Sequence, residues 1–171
     1  FVKEVGREMT LKCGQRCTGV RRIMVPENLV EDVQQAISKR LAGTVIGDPR
    51  AEGVRMGSLV GLAQREEVRA NLNELLKGSA LVYGDPKSVE VTGADAKKGA
   101  FMSPILLRND KPWKNLQSHE VEAFGPVSTL MPYTDLDDAI ALSKLGKGSL
   151  VATTTSAGVP CSTICPSSMK M

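Results

Sequence analysis

Short apolar runs alternate along this chain with longer segments in which apolar residues recur every three or four positions. The short runs predict strands at residues 21–25, 80–83, 127–131 and 150–154. The longer segments predict helices at residues 26–42 and 63–77, and a third helix that begins after Thr134. Because alternating strands and helices are typical of α/β proteins, we expect a mostly parallel sheet flanked by helices.

Three local details carry specific expectations. Residues 101–107 are apolar but contain Pro104, which has no backbone N–H to give to a neighbouring strand, so they predict an edge strand or a bulged strand. The hydroxyl of Thr134 is placed to cap the third helix, with Asp137 three residues on as in a weak capping box. Residues 84–98, rich in Gly, Asp and Lys, predict an exposed hairpin or loop.

The segment with the clearest chemical content is KCGQRCTGVRR at residues 12–22, with Cys17 near its centre. An amphipathic helical run precedes it and a strand follows, so the cysteine is predicted at the bend between them. Gly14 and Gly19 flank the cysteine and allow backbone to lie close to whatever approaches the sulfur. This is a suitable place for a nucleophile.

A thiol attacks as its thiolate, and an unperturbed cysteine with a pKa of about 8.5 is only a few per cent ionised at neutral pH. Arg16, Arg21 and Arg22 predict an electropositive neighbourhood that favours the anion, and backbone amides near the two glycines are suited to hold an oxyanion. An unpaired cysteine is also often a small buried hydrophobic residue. The residues alone leave both interpretations open.

Two segments together resemble the aldehyde dehydrogenase superfamily. GQRCTGVRR is similar to that family's G-Q-x-C-T core, and VEAFGPV, at residues 121–127, is similar to the E-x-F-G-P motif that follows well downstream. The resemblance implies that Cys17 attacks an aldehyde, that Glu122 accepts hydrogen bonds from the nicotinamide ribose, and that Phe124 packs near the nicotinamide ring. It also implies a thiohemiacetal, hydride transfer to NADP or NAD, and a thioester that water converts to the acid.

The sequence between the two motifs narrows the resemblance. GVRMGSLVGLAQREEVR and KKGAFMSPILLRND are similar to the dehydrogenase domain of ring-opening enzymes that oxidise CoA-linked semialdehydes in aerobic phenylacetate degradation, with benzoyl-CoA pathway enzymes second. The expected substrate is therefore a small aldehyde, with a CoA thioester as the leading class. We interpret residues 1–153 as part of the catalytic domain and residues 154–171 as a divergent tail that is poorly packed or contacts a neighbour.

Other parts of such an enzyme are not recognised in this sequence. A glycine-rich phosphate-binding turn is missing, so we expect the dinucleotide-binding domain to be absent from this chain. The resemblance places the general-base glutamate and the oxyanion-hole asparagine before Phe1. We therefore predict a truncated catalytic lobe with little activity of its own; the alternative is a non-catalytic module that folds or self-associates.

Composition and charge argue against several other classes. The 171 residues are 42% hydrophobic and 24% charged, which is ordinary for a soluble globular domain. The net charge is only +3, aromatic residues make up 4% of the chain, and no run of basic residues is interleaved with aromatic ones. We therefore expect no nucleic-acid partner. There is no membrane-length apolar stretch and no leader pattern, so we expect a cytoplasmic protein without a membrane partner. We also expect a homo-oligomer, because a truncated lobe leaves an apolar patch and unpaired strand edges.

The four cysteines fall into two C-x-x-x-C pairs, Cys13 with Cys17 and Cys161 with Cys165. This spacing is weak support for zinc, because structural zinc sites usually use a tighter C-x-x-C spacing and the single histidine, His119, is distant in sequence from both pairs. We predict no metal site and assign no role to Cys161 or Cys165.

Overall fold

The computed structural model describes residues 1–156 and 159–164, and the side chains of residues 1–153. Its helices are α1 (Val2–Thr10), α2 (Val30–Ala42), α3 (Leu62–Leu75), α4 (Gln117–Glu120) and α5 (Leu136–Lys144). Its strands are β1 (Arg22–Pro26), β2 (Ala80–Tyr83), β3 (Ile105–Arg108), β4 (Val127–Tyr133), β5 (Ala152–Ser156) and β6 (Val159–Ile164). Among the helices of this described part, none has the length and apolar character needed to cross a membrane.

The main sheet has four strands in the order β1-β4-β3-β2. β4 runs parallel to both β1 and β3, and β2 is antiparallel to β3 at one edge. This confirms the predicted mostly parallel sheet with flanking helices. The register pairs Ile23 of β1 with Leu130 of β4, so the strand that follows the Cys17 segment lies beside the strand that follows the Glu122 segment.

The sheet is covered on both faces. Leu106 packs into a cluster with α1 and α2 that includes Ile37, whereas Ile105 and Leu107 pack into the cluster on the other face, which includes Leu72 of α3. Successive side chains of a strand point to opposite faces, and a strand that is buried on both sides therefore carries a continuous apolar run. The I-L-L sequence of β3 has this character, and all three residues are fully buried.

The edge-strand alternative for residues 101–107 is wrong, and the irregularity in the pairing of β3 with β2 lies between Leu81 and Tyr83 of β2 rather than at Pro104. β3 lies between β2 and β4 and forms hydrogen bonds with both. Pro104 precedes the first strand residue, so its missing N–H removes no bond from either ladder. The first donor of the strand, the N–H of Ile105, gives a 2.8 Å hydrogen bond to the carbonyl oxygen of Pro126.

Two helix starts also differ from the prediction. Pro26 ends β1, and α2 begins at Val30 after a 3₁₀ turn at Glu27–Leu29. At α5 the cap is Asp135 rather than Thr134, because the Asp135 carboxylate accepts a 2.9 Å hydrogen bond from the backbone N–H of Asp138. Thr134 donates its hydroxyl to the Asp138 side chain instead. Carboxylate and hydroxyl side chains both cap helices, so residue type alone does not show whether Thr134 or Asp135 caps α5.

The chain after α5 departs from the main sheet. The strand predicted at residues 150–154 corresponds to β5, which pairs antiparallel with β6 in a separate two-stranded sheet. The sequence pattern predicts no strand where β6 lies. Residues 157–158 and 165–171 lie outside the described part of the chain. The prediction of a poorly packed tail falls largely on these residues and stays a prediction. The boundary between residues 153 and 154 stays a prediction.

Candidate active site

Cys17 lies in the connection between α1 and β1. The connection opens with a 3₁₀ turn at Leu11–Gly14, in which Lys12, Cys13 and Gly14 have left-handed φ values of 52°, 54° and 69°. Residues other than glycine rarely adopt this conformation, so two such residues in succession mark a sharply constrained turn. Cys13, within the turn, is buried in the core, whereas Cys17, which follows the turn, is exposed to solvent.

The Glu122 segment packs directly against this turn. A Cβ atom placed on Gly14 would lie 2.2 Å from the carbonyl oxygen of Gly125 and 2.8 Å from Cα of Pro126. Only a residue without a side chain permits this approach, which accounts for glycine at the position. The two sequence motifs are therefore in backbone contact.

The strands behind the two segments fix their relative position. The Ser128 hydroxyl of β4 donates a 2.6 Å hydrogen bond to the carbonyl oxygen of Val20. The backbone N–H of Thr129 donates a 2.8 Å hydrogen bond to the carbonyl oxygen of Arg21. On the other side, the Asn71 side chain of α3 donates a 2.9 Å hydrogen bond to the carbonyl oxygen of Glu122. Both segments are thus held by hydrogen bonds to secondary structure.

A pocket of about 320 Å³, hereafter the thiol pocket, lies between the two segments. It is lined by Cys17, Arg21, Glu67, Glu122, Phe124, Gly148 and Leu150. The fold therefore brings together all three residues that the sequence singled out, Cys17, Glu122 and Phe124. Their chemical roles stay predictions at this point.

A second pocket, of about 670 Å³, adjoins the first through Phe124. The Phe124 side chain is 40% exposed and lines both pockets. The other lining residues are Lys12, Cys13, Gln15, Pro49, Gly57, Ser58, Val60 and Phe101. Gln15 spans this pocket's wall by accepting a 2.8 Å hydrogen bond from the backbone N–H of Val60. An exposed aromatic ring at the junction offers a flat surface to a ligand that enters from either side.

The arginines near Cys17 do not form the free positive patch that the sequence predicts. Arg16 donates a 2.7 Å hydrogen bond to the carboxylate of Glu8, and Arg21 forms an ion pair with Glu122. Burial lowers the pKa of Arg21, and the nearby thiolate form of Cys17 acts in the opposite direction. Arg21 therefore lies near Cys17, and its charge is paired with a carboxylate.

Arg22 serves the fold. Its guanidinium donates 3.1 Å hydrogen bonds to the carbonyl oxygens of Leu142 and Ser143 at the end of α5, and it lies 3.0 Å from Nδ1 of His119. Cations near the C-terminus of a helix are stabilising because the last carbonyl groups have no partner within the helix. Burial lowers the pKa of Arg22, as expected for a cation enclosed between a strand and a helix.

The cysteine pair in this region does not form a common site. Burial raises the pKa of Cys13 to about 12, so this thiol stays protonated at neutral pH. Its partner in the C-x-x-x-C spacing, Cys17, is exposed. Within the described residues, no group of three His, Cys, Asp or Glu side chains is arranged to hold a metal ion. Cys165 lies outside these residues.

Two contributors, Glu67 and Asn71, are not identified from the sequence, and a third, Arg21, is identified without its partner. Arg21 was read as a free cation, although its partner lies 101 residues away. Glu67 lines the thiol pocket from α3, where helical spacing marks it only as a solvent-facing acid. Asn71 supports the Glu122 backbone from the same helix. The available sequence signal was the i, i+4 spacing of residues 67 and 71, which places both on one face of the helix.

The chain belongs to the aldehyde dehydrogenase family, whose sequence profile matches residues 1–158. Within that family it is 45% identical over 151 residues to 3,4-dehydroadipyl-CoA semialdehyde dehydrogenase of Aromatoleum evansii. This match covers 88% of the chain and 29% of the relative, so the chain spans less than a third of that relative's length.

Solved structures agree on the fold. Betaine aldehyde dehydrogenase of Staphylococcus aureus, determined with NAD⁺, superposes with a TM-score of 0.74 over 89% of this chain and 29% of its own, at 22% identity. Succinic semialdehyde dehydrogenase of Streptococcus pyogenes, determined with NADP⁺, gives a TM-score of 0.70 over 81% of this chain and 29% of its own, at 21% identity. The fold is that of part of an aldehyde dehydrogenase.

Proposed function

We propose that this chain forms the nucleophile-bearing part of an NAD(P)-dependent aldehyde dehydrogenase that oxidises a CoA-linked semialdehyde to its acid in aromatic-acid degradation. The observation that carries the proposal is the thiol pocket, where an exposed thiol, a carboxylate and an aromatic ring converge from two distant segments. Family membership supports the reaction class, and the similarity to a CoA-semialdehyde dehydrogenase supports the substrate class.

Cys17 is the proposed nucleophile. Its sulfur adds to the carbonyl carbon of the aldehyde, and the carbonyl oxygen takes a proton to give a thiohemiacetal. When bound, NAD(P)⁺ would accept the hydride from this carbon, and loss of the hydride together with the hydroxyl proton would leave a thioester on Cys17. Attack by water on the thioester would release the acid and supply the proton that restores the thiol. Cys17 is suited to this cycle because it is exposed at a pocket and its loop is held by β4.

Glu122 and Phe124 fit the nicotinamide end of such a cofactor. A carboxylate has lone pairs enough to accept hydrogen bonds from two adjacent ribose hydroxyls, and Asn71 fixes the Glu122 backbone. The half-exposed ring of Phe124 limits where a flat heterocycle can lie relative to Cys17. From the family resemblance we propose NADP as the cofactor, with NAD as the alternative.

The test of Cys17 uses an α,β-unsaturated aldehyde such as trans-2-octenal, whose β-carbon forms a stable bond with a thiolate. The 171-residue chain is treated briefly, digested, and each cysteine-containing peptide is quantified by mass spectrometry. We expect the adduct on Cys17 first, and loss of this preference when the chain is unfolded in urea before treatment. Even labelling of all four cysteines in the folded chain would contradict the proposal.

Turnover is expected to be low for these residues alone. We propose that the general base is supplied from outside them, and loss of a general base commonly costs about 10²- to 10⁴-fold in rate. Reduction of NADP⁺ by the chain with a medium-chain aldehyde should therefore be at least about 10²-fold slower than with a full-length relative. Equal rates would show that the chain is not catalytically deficient.

Self-association is the second candidate function, favoured by exposed apolar side chains. Val60 is 81% exposed and Leu136 is 72% exposed, and burying these apolar side chains against a second copy would be favourable. Sedimentation velocity over a hundredfold range of concentration tests this candidate. We expect a homo-oligomer that weakens in the Val60→Ser and Leu136→Ser chain; a monomer throughout would remove the candidate.

A further inference from the structure

The turn that follows α5 forms one wall of the thiol pocket. Gly148 and Leu150 line the pocket, and Ser149 lies between them in the chain. The backbone N–H and the hydroxyl of Ser149 both donate to the carbonyl oxygen of Gly146, over 2.8 and 3.0 Å. Whatever holds this turn therefore also holds that wall of the pocket.

Arg22 holds the turn from β1. Its Nη1 and Nη2 groups donate 3.1 Å hydrogen bonds to the carbonyl oxygens of Leu142 and Ser143 and to the hydroxyl of Ser149. A Cβ atom placed on Gly146 would overlap the guanidinium, so this group occupies the space of a side chain at that position. A rigid, planar set of donors is suited to bind several acceptors at once, which a lysine could not reproduce.

His119 completes the set of groups around this guanidinium. Its Nδ1 atom lies 3.0 Å from Nη1 of Arg22, and its Nε2 atom lies 3.1 Å from the carbonyl oxygen of Pro112. A guanidinium nitrogen can only donate and a carbonyl oxygen can only accept, so the ring carries its proton on Nε2 and accepts at Nδ1. A second proton, on Nδ1, would turn two N–H donors towards each other. The surroundings of His119 thus suit one neutral form of the ring and oppose the charged form.

We propose that Arg22 is a positioning residue for this wall of the thiol pocket, and that proton uptake by His119 releases the wall. The charged ring would displace the guanidinium, which would then leave the hydroxyl of Ser149. Gly148 and Leu150 would lose their support, and a ligand seated against Leu150 would lose one side of its site as the pH falls. The proposal concerns the shape of the pocket and does not depend on the chemistry proposed for Cys17.

The electrostatic surroundings of His119 agree with this arrangement. Burial is the main influence and lowers the pKa of His119, whereas its hydrogen bond with the carbonyl oxygen of Pro112 raises it. Within the described residues, the charged groups that act on the ring are Arg22 of β1, which lowers the pKa, and Glu120 beside it in α4, which raises it. The ring is therefore neutral at neutral pH, and we expect the wall to be released in mildly acidic solution.

The test is an NMR titration of the isotopically labelled 171-residue chain from about pH 8 to about pH 5, which brackets the ordinary histidine pKa of about 6.5. His119 is the only histidine, so the Cε1–H signal of its ring gives the midpoint directly. The ring nitrogen shifts should show the Nε2–H form above that midpoint. We expect the amide signals of Gly148 and Ser149 and the methyl signals of Leu150 to change with the same midpoint. The amide of Gly53, which lies in an exposed loop, should not follow it.

Two glycines of the turn provide a matched pair of variants that test the contact from the opposite side. Gly146→Ala pushes the guanidinium away from the ring, and because Arg22 lowers the pKa of His119, the midpoint should move upwards. Gly148→Ala adds a Cβ atom that meets nothing within 4 Å and should leave the midpoint unchanged. Equal midpoints in these two variants would refute the role assigned to Arg22.

His119→Gln isolates the effect of the proton. A glutamine side chain keeps one acceptor and one donor but takes up no proton in this range, so the signals of Gly148, Ser149 and Leu150 should stay at their neutral-pH positions throughout. Circular dichroism and urea midpoints establish that each chain is folded; if Gly146→Ala is not, the unchanged chain and His119→Gln still decide.

Three outcomes overturn the proposal: a ring that does not titrate in this range, wall signals that do not follow the ring, or wall signals that titrate equally in His119→Gln. The titration contains neither aldehyde nor cofactor, so its result is separate from that of the octenal assay. Selective octenal labelling without coupled titration would keep the proposed role of Cys17 and remove this inference. Coupled titration without selective labelling would do the reverse.

Discussion

Replacing Gly14 with alanine tests the contact between the two motifs. A non-glycine residue in the left-handed conformation costs about 1–2 kcal/mol, and Gly14 has φ of 69°. The new Cβ would also lie 2.2 Å from the carbonyl oxygen of Gly125, whereas ordinary contacts begin at 3.4 Å. The backbones must therefore separate by about 1 Å, and overpacking of this kind costs about 1–3 kcal/mol. The expected loss of unfolding free energy is about 2–5 kcal/mol.

Gly53→Ala is the matched control. Gly53 has a left-handed φ of 82°, but an added Cβ there meets nothing within 4 Å. This variant should lose only the conformational part, and the difference between the two variants measures the contact with Gly125. Urea unfolding at constant slope gives both values. If Gly14→Ala loses no more stability than Gly53→Ala, the two motifs are not in the tight contact described above.

Three further predictions concern the core and the buried titratable groups. Leu107→Ala, at a fully buried position, should cost about 2–5 kcal/mol in urea unfolding, whereas Leu136→Ala, at an exposed position, should change stability by no more than about 0.5 kcal/mol. Equal losses would contradict the burial of β3 against the α3 side of the sheet. Burial lowers the pKa of His119, so its stabilising contribution is present above the ordinary value of about 6.5 and is lost as pH falls towards the folded-state value. His119→Gln should flatten the decline of the urea midpoint between about pH 7.5 and 5.5, about one unit either side of the ordinary value, and an unchanged slope would refute this. Burial raises the pKa of Cys13 to about 12 from an ordinary 9.0, so its contribution is present below pH 9.0 and is lost as pH rises towards 12; Cys13→Ala should remove this part of the alkaline decline, and an identical decline would contradict it.

The elements of the fold were largely predictable because their signals are local. Apolar residues at three- and four-residue steps placed Val68, Leu72 and Leu75 on one face of a helix, and all three are buried in α3. The parallel sheet followed from alternation of strands and helices alone. The order in which the strands pair could not be predicted in this way, because β4 enters the sheet between β1 and β3 although β2 and β3 precede it in the sequence. Pro104 was misleading because its effect depends on where the strand begins, and the sequence pattern does not fix that residue.

The candidate site, like the fold, was predictable from the sequence only in part. Cys17, Glu122 and Phe124 were found through motifs, and their convergence is a property of the β1–β4 pairing. The pairing of Arg21 with Glu122 was missed, because a local reading assigns each charge to its own segment. A solvated arginine and an arginine held by a distant carboxylate have the same sequence signature.

This missed pairing changes how activation of the thiol must be understood. Arg16 and Arg21 are each matched by a carboxylate, and Glu67 adds another acid to the thiol pocket. The described part of the thiol pocket therefore has no surplus of positive charge. In the proposed enzyme, the cationic neighbourhood expected from Arg16, Arg21 and Arg22 does not account for the reactivity of Cys17, because two of these charges are matched by carboxylates and the third is bound to the end of α5.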